Sequence, residues 1–252
     1  MFGLKRRLKS AQERPERGRD IAVAGRRLPL KINENVRAKR MTLRIEPGGR
    51  ALRMSVPVGL ADTEIDNFLH RHHGWLTARL AKLPKSSTVT EGGSIDIRGV
   101  AHRIVRTGKP RGISQTGEID GEPVLFVGGA PEHLGRRTAD FLKKLARGEL
   151  EEAVARHAEA LGKTVAAVSM KDTKSRWGSC TAQGRLSFSW RIVMAPDHVI
   201  DYLAAHEVAH LEEMNHGPRF WSLCKRLCPR TDEAKSWLKR NGSALHSIDF
   251  KG

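Results

Sequence analysis

The spacing of hydrophobic residues divides this 252-residue chain into two contrasting parts. Between residues 21 and 130, short runs of apolar residues alternate with polar ones and are separated by glycine-rich turns, a pattern that predicts β-strands. From about residue 132, apolar residues recur at the intervals of amphipathic helices, with two short strands among them. The sequence therefore predicts an α+β fold, in which a β-rich N-terminal region, 21–130, precedes a largely helical C-terminal domain, 131–252.

The N-terminal part contains three predicted features. Residues 1–20 are rich in Arg and Lys and poor in apolar anchors, which indicates a flexible basic arm. Two alternating runs, 41–45 and 52–56, flank a Pro-Gly-Gly turn and predict a β-hairpin. A helix is expected between residues 62 and 84. This helix contains three histidines, His70, His72 and His73. They lack the i,i+4 spacing that suits chelation from a helix, so surface or packing roles are expected for them.

The C-terminal domain is expected to begin near residues 128–131. Its long first helix is expected to be interrupted at Gly148, because glycine disfavours a helix interior. Its last helix is expected to end at Asn241-Gly242. The predicted elements are helices at 132–161, 218–227 and 232–240, strands at 165–170 and 185–193, and a further helix after Pro196.

Residues 206–216 read HEVAHLEEMNH and contain an HExxH motif. Helical i,i+4 spacing places His206 and His210 on one face, where both imidazoles can hold one metal ion. Glu207 lies on the neighbouring flank, where its carboxylate can take a proton from a water activated by that metal. The motif predicts a zinc site with His206, His210 and His216 as ligands and Glu207 as the catalytic base.

The third ligand has a second candidate. His216 is expected to swing back toward the metal through a tight turn, in which Asn215 or Gly217 adopts a left-handed conformation and Pro218 starts the next helix. Glu233 on a later helix is the alternative, because two histidines and a glutamate are also a common catalytic zinc set.

The charge and the cysteine content limit the class of protein. The net charge of +17 is spread along the whole chain and accompanies no dedicated DNA-reading motif. It indicates either contact with nucleic acid or another polyanion, or a generally basic solvated surface. The odd number of cysteines implies no disulfide framework. Without a long apolar run or a secretory signal, a cytoplasmic protein that does not contact membranes is expected.

Several motifs together resemble the YgjP-like metallopeptidase family, which is similar to the SprT and WLM zinc proteases. They are Ser175–Cys180 (SRWGSC), Gly184–Trp190 (GRLSFSW), Ala195-Pro196, Asp201-Tyr202, the HExxH motif, Asn215-His216 and Phe220-Trp221. The resemblance implies a zinc-dependent, zincin-like catalytic domain, with the HExxH helix beneath a small sheet, and a cytoplasmic setting. It also implies the same ligands and catalytic base as the spacing of the motif.

Further residues are candidates for contact with the substrate or transition state. Arg176 lies in a loop expected beside the site, while Tyr202 and Arg219 are candidate donors to a developing oxyanion. The strand Leu186–Ile192 is open to two interpretations. It is either an exposed edge on which an extended peptide docks, or a core strand that supports the helix.

The sequence therefore favours a zinc-dependent metallopeptidase that acts on a peptide or protein substrate. One alternative retains the metal chemistry but hydrolyses a nucleoside triphosphate at a phosphoanhydride bond. The other is a basic nucleic-acid-associated protein whose zinc is structural. The sequence pattern does not indicate an oligomeric state.

Overall fold

The computed structural model describes residues 17–81, 87–109, 112–173 and 175–251. The chain forms two compact units that divide between Leu83 and Pro84. This division differs from the boundary predicted near residue 130. Most of the predicted basic arm, residues 1–16, lies outside the described residues, and residues 17–20 begin the first strand rather than a flexible segment.

The N-terminal unit is a four-stranded sheet with one helix. The elements are β1 (Arg17–Val23), β2 (Arg26–Glu34), β3 (Thr42–Ile45), β4 (Leu52–Val56) and α1 (Asp62–Ala81). The sheet has the order β1-β2-β4-β3, in which β2 and β4 are parallel and the other neighbours are antiparallel. Its core joins buried strand residues, such as Leu30 and Met54, to buried residues of the helix, such as Ile65 and Leu76. The predicted hairpin, β3-β4, and the predicted helix are therefore both present.

The C-terminal unit places three small sheets around a helical core. The strands are β5 (Ser87–Thr88), β6 (Ser94–Ile97), β7 (Val100–Arg106), β8 (Gln115–Ile119), β9 (Glu122–Val127), β10 (Ala167–Lys171), β11 (Gly178–Cys180), β12 (Arg185–Ser189) and β13 (Ile248–Asp249). A four-stranded sheet has the order β6-β7-β9-β8, a three-stranded sheet has the order β10-β12-β11, and β5 pairs with β13. The helices are α2 (Leu134–Ala160), α3 (Asp197–Ala209), α4 (Pro218–Leu227) and α5 (Thr231–Ser247).

Strands β6 to β9 belong to the C-terminal unit because they share its core. Ile104 and Leu125 lie in one buried cluster with Leu142 of α2 and with residues of α3. The turn between β6 and β7 also holds the start of α3, since Arg98 Nε donates a hydrogen bond to Asp197 Oδ1 at 2.6 Å. The Gly-Gly segment after β9 is thus a turn inside the C-terminal unit and not a domain boundary.

Three predicted elements are corrected by the structure. Helix α2 continues through Gly148, and helix α5 continues through Asn241-Gly242 to Ser247. The strand predicted at 185–193 ends at Ser189, and a fully buried 3₁₀ turn, Trp190–Met194, follows it. None of the described helices has the length and apolar character needed to span a bilayer.

Candidate metal centre

Helix α3 contains the first four residues of the HExxH motif and ends directly before His210. The helix is apolar and buried on most of its surface, with Val199, Leu203 and Val208 in the core. Its last helical residue is Ala209, although the apolar positions of the helix predicted after Pro196 extend to Leu211. His210 still has helical dihedral angles, φ −66° and ψ −14°, so its side chain keeps the direction that i,i+4 spacing requires.

The segment after His210 turns the chain back toward α3. Gly217 precedes α4 in an extended conformation, with φ −81° and ψ −177°. The left-handed residue predicted at Asn215 or Gly217 is therefore absent, because neither residue has a positive φ. Pro218 opens α4 as predicted, and the turn places His216 against the motif.

Three imidazoles converge at this turn. His216 Nε2 lies 3.1 Å from His206 Nε2, and ligand atoms of His206, His210 and His216 all lie within 4.8 Å of one another. Within the described ranges, this is the only group of three or more His, Cys, Asp or Glu residues that could hold a metal ion. Glu233 is not part of it, because its carboxylate accepts hydrogen bonds from Arg230 at 2.6 and 2.8 Å.

The outer nitrogens of two of these imidazoles have partners of their own. The Tyr202 hydroxyl lies 3.2 Å from His206 Nδ1, and the Glu213 carbonyl lies 3.0 Å from His210 Nδ1. Partners of this kind fix the ring orientation and leave Nε2 for the metal. Tyr202 is 6% exposed and its hydroxyl contacts His206, while its predicted contact with a developing oxyanion stays a prediction.

The aromatic ring of Phe220 packs against all three imidazoles. Its ring is fully buried and stacks on His210 with centroids 4.5 Å apart, and it makes edge contacts with His206 and His216. This packing limits the rotation of all three imidazoles. Sequence reasoning did not give Phe220 a role, although its place one turn after His216 is a usable signal.

The surroundings of His206 and His210 favour the uncharged imidazole, which is the form that binds metal. Burial, reinforced by the neighbouring His210 and His216, lowers the pKa of His206 to about 3. Burial also lowers the pKa of His210, against the opposing effect of its hydrogen bond to Glu213.

Glu207 is a buried carboxylate on α3, directly after His206 in the chain. It is 3% exposed, and its Oε2 has no hydrogen-bond partner among the described residues. Burial raises its pKa to about 8, while the charge of Arg176 opposes the increase. Burying a carboxylate oxygen without a hydrogen-bond partner costs free energy, so buried polar atoms usually have a partner. The position of this oxygen therefore fits a site that binds a water molecule or a cation.

Gly178 of β11 makes the space that Glu207 occupies. A β-carbon added to Gly178 would lie 2.7 Å from Glu207 Cδ, closer than real β-carbon contacts. The sequence pattern places the surrounding loop near the site but gives this glycine no role. The need for glycine at position 178 follows only from the packing of β11 against Glu207 of α3.

The remaining candidates lie around this centre. Arg176 is exposed near Glu207, and Arg219 is exposed in the first turn of α4. Cys180 donates to the Thr181 carbonyl at 3.4 Å and lies outside the histidine group. Cys224 and Cys228 are free and buried.

The pairing of β12 in the three-stranded sheet shows whether this strand is an exposed docking edge or a core strand. Strand β12 lies between β10 and β11, so both of its edges are paired. The docking-edge interpretation of Leu186–Ile192 is wrong, and the core-strand interpretation is confirmed. In the described part of this sheet, the edge nearest Glu207 belongs to β11.

A helix-borne histidine pair, a third histidine from the following turn and a buried glutamate are the arrangement of a metal-dependent peptidase. The family model described as YgjP-like, metallopeptidase domain, matches residues 39–241. The chain belongs to this YgjP-like metallopeptidase family.

Two solved structures resemble parts of the chain. One is the crystal structure of the metallopeptidase zymogen of Pyrococcus abyssi abylysin, with 20% identity and a TM-score of 0.34 over 38% of this chain and 95% of that chain. The other is the metallopeptidase zymogen of Methanocaldococcus jannaschii jannalysin, with 17% identity and a TM-score of 0.32 over 36% of this chain and 94% of that chain. The curated proteins include no match to the chain.

Proposed function

We propose that the protein is a zinc-dependent metallopeptidase in which His206, His210 and His216 hold the metal and Glu207 is the general base. The observation that carries the proposal is the convergence of three imidazoles next to the buried Glu207, whose Oε2 has no hydrogen-bond partner in the part of the chain that the structure describes. Membership of a metallopeptidase family supports a peptide or protein substrate.

The donor set fits a catalytic zinc ion. Three neutral nitrogen donors leave one coordination position open, whereas structural zinc sites usually have four protein ligands. When bound, zinc supplies Lewis acidity, which lowers the pKa of water and polarises a substrate carbonyl. The partners of His206 and His210 on their outer nitrogens keep both rings aimed at this position.

Glu207 moves the proton in the proposed reaction. Its carboxylate accepts a proton from the attacking water and donates it to the leaving amine. Charge on Glu207 is disfavoured by burial and favoured by Arg176. A cation held by the histidines would favour the charged form as well, which is the form needed for a base.

A phosphoanhydride hydrolase is the second candidate, and one observation favours it. Lys171 and Arg176 line a small cleft together with Gly178 and three hydroxyl-bearing residues, Thr173, Ser179 and Ser187. Two cations and three hydroxyl groups suit an oxygen-rich anion, such as a nucleotide phosphate or an acidic peptide group.

Parallel assays of the purified full chain separate these functions. Zinc content is measured first, followed by the release of peptides from casein and of phosphate or pyrophosphate from nucleoside triphosphates. The peptidase proposal requires stoichiometric zinc and zinc-dependent casein cleavage. Nucleotide hydrolysis alone would replace it with the second candidate, and zinc without either activity would indicate a structural metal site.

A further inference from the structure

Lys235 of helix α5 extends over an aromatic ring beside the metal centre. Its Nζ lies 3.7 Å from the centroid of the Trp221 ring, which is a cation–π contact. The Trp221 ring in turn lies 5.6 Å from the ring of His216 and 5.9 Å from the ring of His206, measured between centroids. One aromatic ring therefore connects a lysine ammonium to two of the three proposed metal ligands.

The position of the Trp221 ring is fixed by its own packing. Trp221 is half-buried, and its ring meets the fully buried ring of Phe220 edge-on, with centroids 5.1 Å apart. Phe220 also packs against all three imidazoles. The ring that holds the ammonium of Lys235 is therefore set by the same packing that sets the histidine rings.

The ammonium of Lys235 is exposed and available to a ligand. Apart from the contact with Trp221, it has neither a hydrogen bond nor an ion pair with any residue that the structure describes. Acidic residues of the same helix are bound elsewhere, since Asp232 forms an ion pair with Lys225 at 2.6 Å and Glu233 with an arginine. The hydrogen bond from Lys225 is the main cause of the lowered pKa of Asp232, and the charge of Lys235 adds a smaller effect.

The charge of Lys235 also acts on the metal centre. It is among the causes that lower the pKa of His206, after burial and the neighbouring imidazoles. A cation that disfavours positive charge on His206 also disfavours a metal ion bound there, because like charges repel. An anionic group that binds beside the ammonium offsets this repulsion.

Arg176 supplies a second cation near the same centre. It is exposed in the loop before β11, and its charge opposes the raised pKa of Glu207. Lys235 lies on α5, so the two cations come from separate elements of the fold. A peptide bound at the metal would lie close to both, and a carboxylate gains from this charge whereas a neutral or basic group does not.

We propose that Lys235, held over the Trp221 ring, binds a carboxylate of the peptide substrate close to the bond that is cleaved, so that the enzyme prefers acidic peptides. This inference rests on the proposed peptidase function and adds the substrate class to it. An aspartate or glutamate side chain and the C-terminal carboxylate of a short peptide offer the same chemistry. The ammonium donates charge-assisted hydrogen bonds to the carboxylate oxygens, while Glu207 remains the group that moves the proton.

Cleavage of casein by the zinc-loaded full chain gives the first test. Mass spectrometry of the products identifies the cleaved bonds, and either acidic residues should be enriched beside them or the products should be trimmed from the C-terminus. Peptides built around a cleaved bond are then compared in pairs, in which the acidic side chain is replaced by its amide or the C-terminus is amidated. The replacement that removes the bound carboxylate should lower kcat/KM by roughly tenfold, mainly through KM.

Variants at position 235 assign the preference to this residue. Lys235→Met keeps a long side chain without charge, so it should process acidic and amide peptides alike, within about twofold of the wild-type rate on the amide peptide. Lys235→Arg keeps the charge and should retain most of the preference, whereas Lys235→Glu should reverse it toward peptides with Lys or Arg at the same position. The matched control is Lys239→Met, which removes the same charge from an exposed position one turn later on α5 and should behave as the wild type.

A binding measurement keeps this inference separate from the peptidase proposal. A fluorescently labelled, Glu-rich short peptide and its Gln counterpart are titrated into the zinc-loaded Glu207→Gln protein, and fluorescence anisotropy measures the affinity. The acidic peptide should bind roughly tenfold more tightly, and the added substitution Lys235→Met should remove the difference. If the wild type cleaves no casein, the peptidase proposal fails, yet this difference in affinity still tests the role of Lys235.

Three results would overturn the inference. The first is a wild type that does not distinguish acidic peptides from their amides in cleavage or in binding. The second is an equal loss of kcat on both peptides in Lys235→Met, because the lysine would then act on the reaction and not on a substrate carboxylate. The third is the same loss of preference in Lys239→Met, because the preference would then come from diffuse charge. All variants at these two exposed positions should keep stoichiometric zinc and an unchanged melting temperature.

Discussion

Gly178 and Glu207 share a space that has no room for a methyl group, since a β-carbon on Gly178 would lie 2.7 Å from Glu207 Cδ. Gly178→Ala should therefore displace the carboxylate while leaving the histidines in place. A displacement of about 1 Å can cost on the order of 100-fold in rate. We expect hydrolysis to fall by that order and zinc content to stay stoichiometric, as measured by steady-state kinetics and metal analysis.

Gly148→Ala is the matched control for this substitution. Gly148 lies in α2 with nothing within 4 Å of its added β-carbon, so alanine should leave activity unchanged. It should raise stability by about 0.5–1 kcal/mol, since alanine is the better helix former. Full activity in Gly178→Ala would show that Glu207 tolerates displacement.

The ligand assignment predicts which substitutions release the metal. His206→Ala, His210→Ala and His216→Ala should each lose stoichiometric zinc, because two imidazoles hold the ion much less firmly than three. Glu233→Ala should keep zinc, since that carboxylate is paired with Arg230. Atomic absorption after dialysis against a weak chelator measures this. Zinc that survives His216→Ala but not Glu233→Ala would favour the two-histidine, one-glutamate set.

The substitution Glu207→Gln tests whether Glu207 acts as a general base or as a metal ligand. Glutamine preserves the size of the side chain but cannot accept the proton, so the variant should fold, retain zinc and lose roughly 10² to 10⁴-fold or more in hydrolysis. Circular dichroism, metal content and the casein assay are measured on the same preparation. Loss of the metal would make Glu207 a structural residue, and retained activity on every substrate would refute its role as the base.

Tyr202→Phe tests the contact that orients His206. The substitution removes the hydroxyl 3.2 Å from His206 Nδ1 and keeps the buried ring. Loss of such an outer partner typically weakens metal binding by about 10 to 100-fold. Competition with a fluorescent zinc chelator measures the affinity, and an unchanged melting temperature of the zinc-free protein confirms that packing is preserved. Unaltered affinity would show that Phe220 alone suffices to orient the ring.

The unfolding free energy of the C-terminal unit is expected to depend on pH through the Asp201 carboxyl. Burial raises the pKa of this carboxyl, but hydrogen bonds from His157 at 2.8 Å and Arg156 at 2.5 Å outweigh burial and lower the pKa to about 2. Because the folded pKa lies below the unfolded value, the stabilisation is present above about pH 4 and disappears as the pH falls through about 2. Asp201 is partly exposed, so the contribution is on the order of 1 kcal/mol after allowance for solvent screening.

Asp201→Asn should remove this component. The difference in unfolding free energy between the wild type and the variant should be largest near neutral pH and vanish toward pH 2, as followed by urea denaturation. Zinc loss in acid affects both proteins and cancels in the difference. A difference that does not change with pH would show that Asp201 contributes no charge-dependent stability.

Local sequence patterns predicted the elements whose stability is local. The hairpin β3-β4 and helix α1 appear where alternation and helical spacing place them, because each signal lies within a few residues. The HExxH spacing likewise anticipated the approach of His206, His210 and His216, since a helix and one turn suffice to bring them together.

Features that depend on distant contacts were not predictable in this way. The turn at Arg98 holds α3 through Asp197, 99 residues later, so nothing near residue 130 reveals that β6 to β9 share the core of the C-terminal unit. Gly242 has the character of a helix terminator, yet a β-carbon there would approach the Trp177 ring at 3.2 Å. Glycine at this position allows α5 to pack closely against Trp177. The local sequence around Gly242 does not reveal this contact.

Trp177 rests on the last turns of α5, beside Gly242 and stacked on His246 with centroids 4.4 Å apart. It directly precedes Gly178, so local opening of these turns would release the strand that confines Glu207 while α3 remains folded. Inactivation on warming would then precede global unfolding, and the amides of β11 would exchange with solvent in step with those of α5. The lifetime of the active conformation thus depends on a helix that contributes no residue to the metal centre.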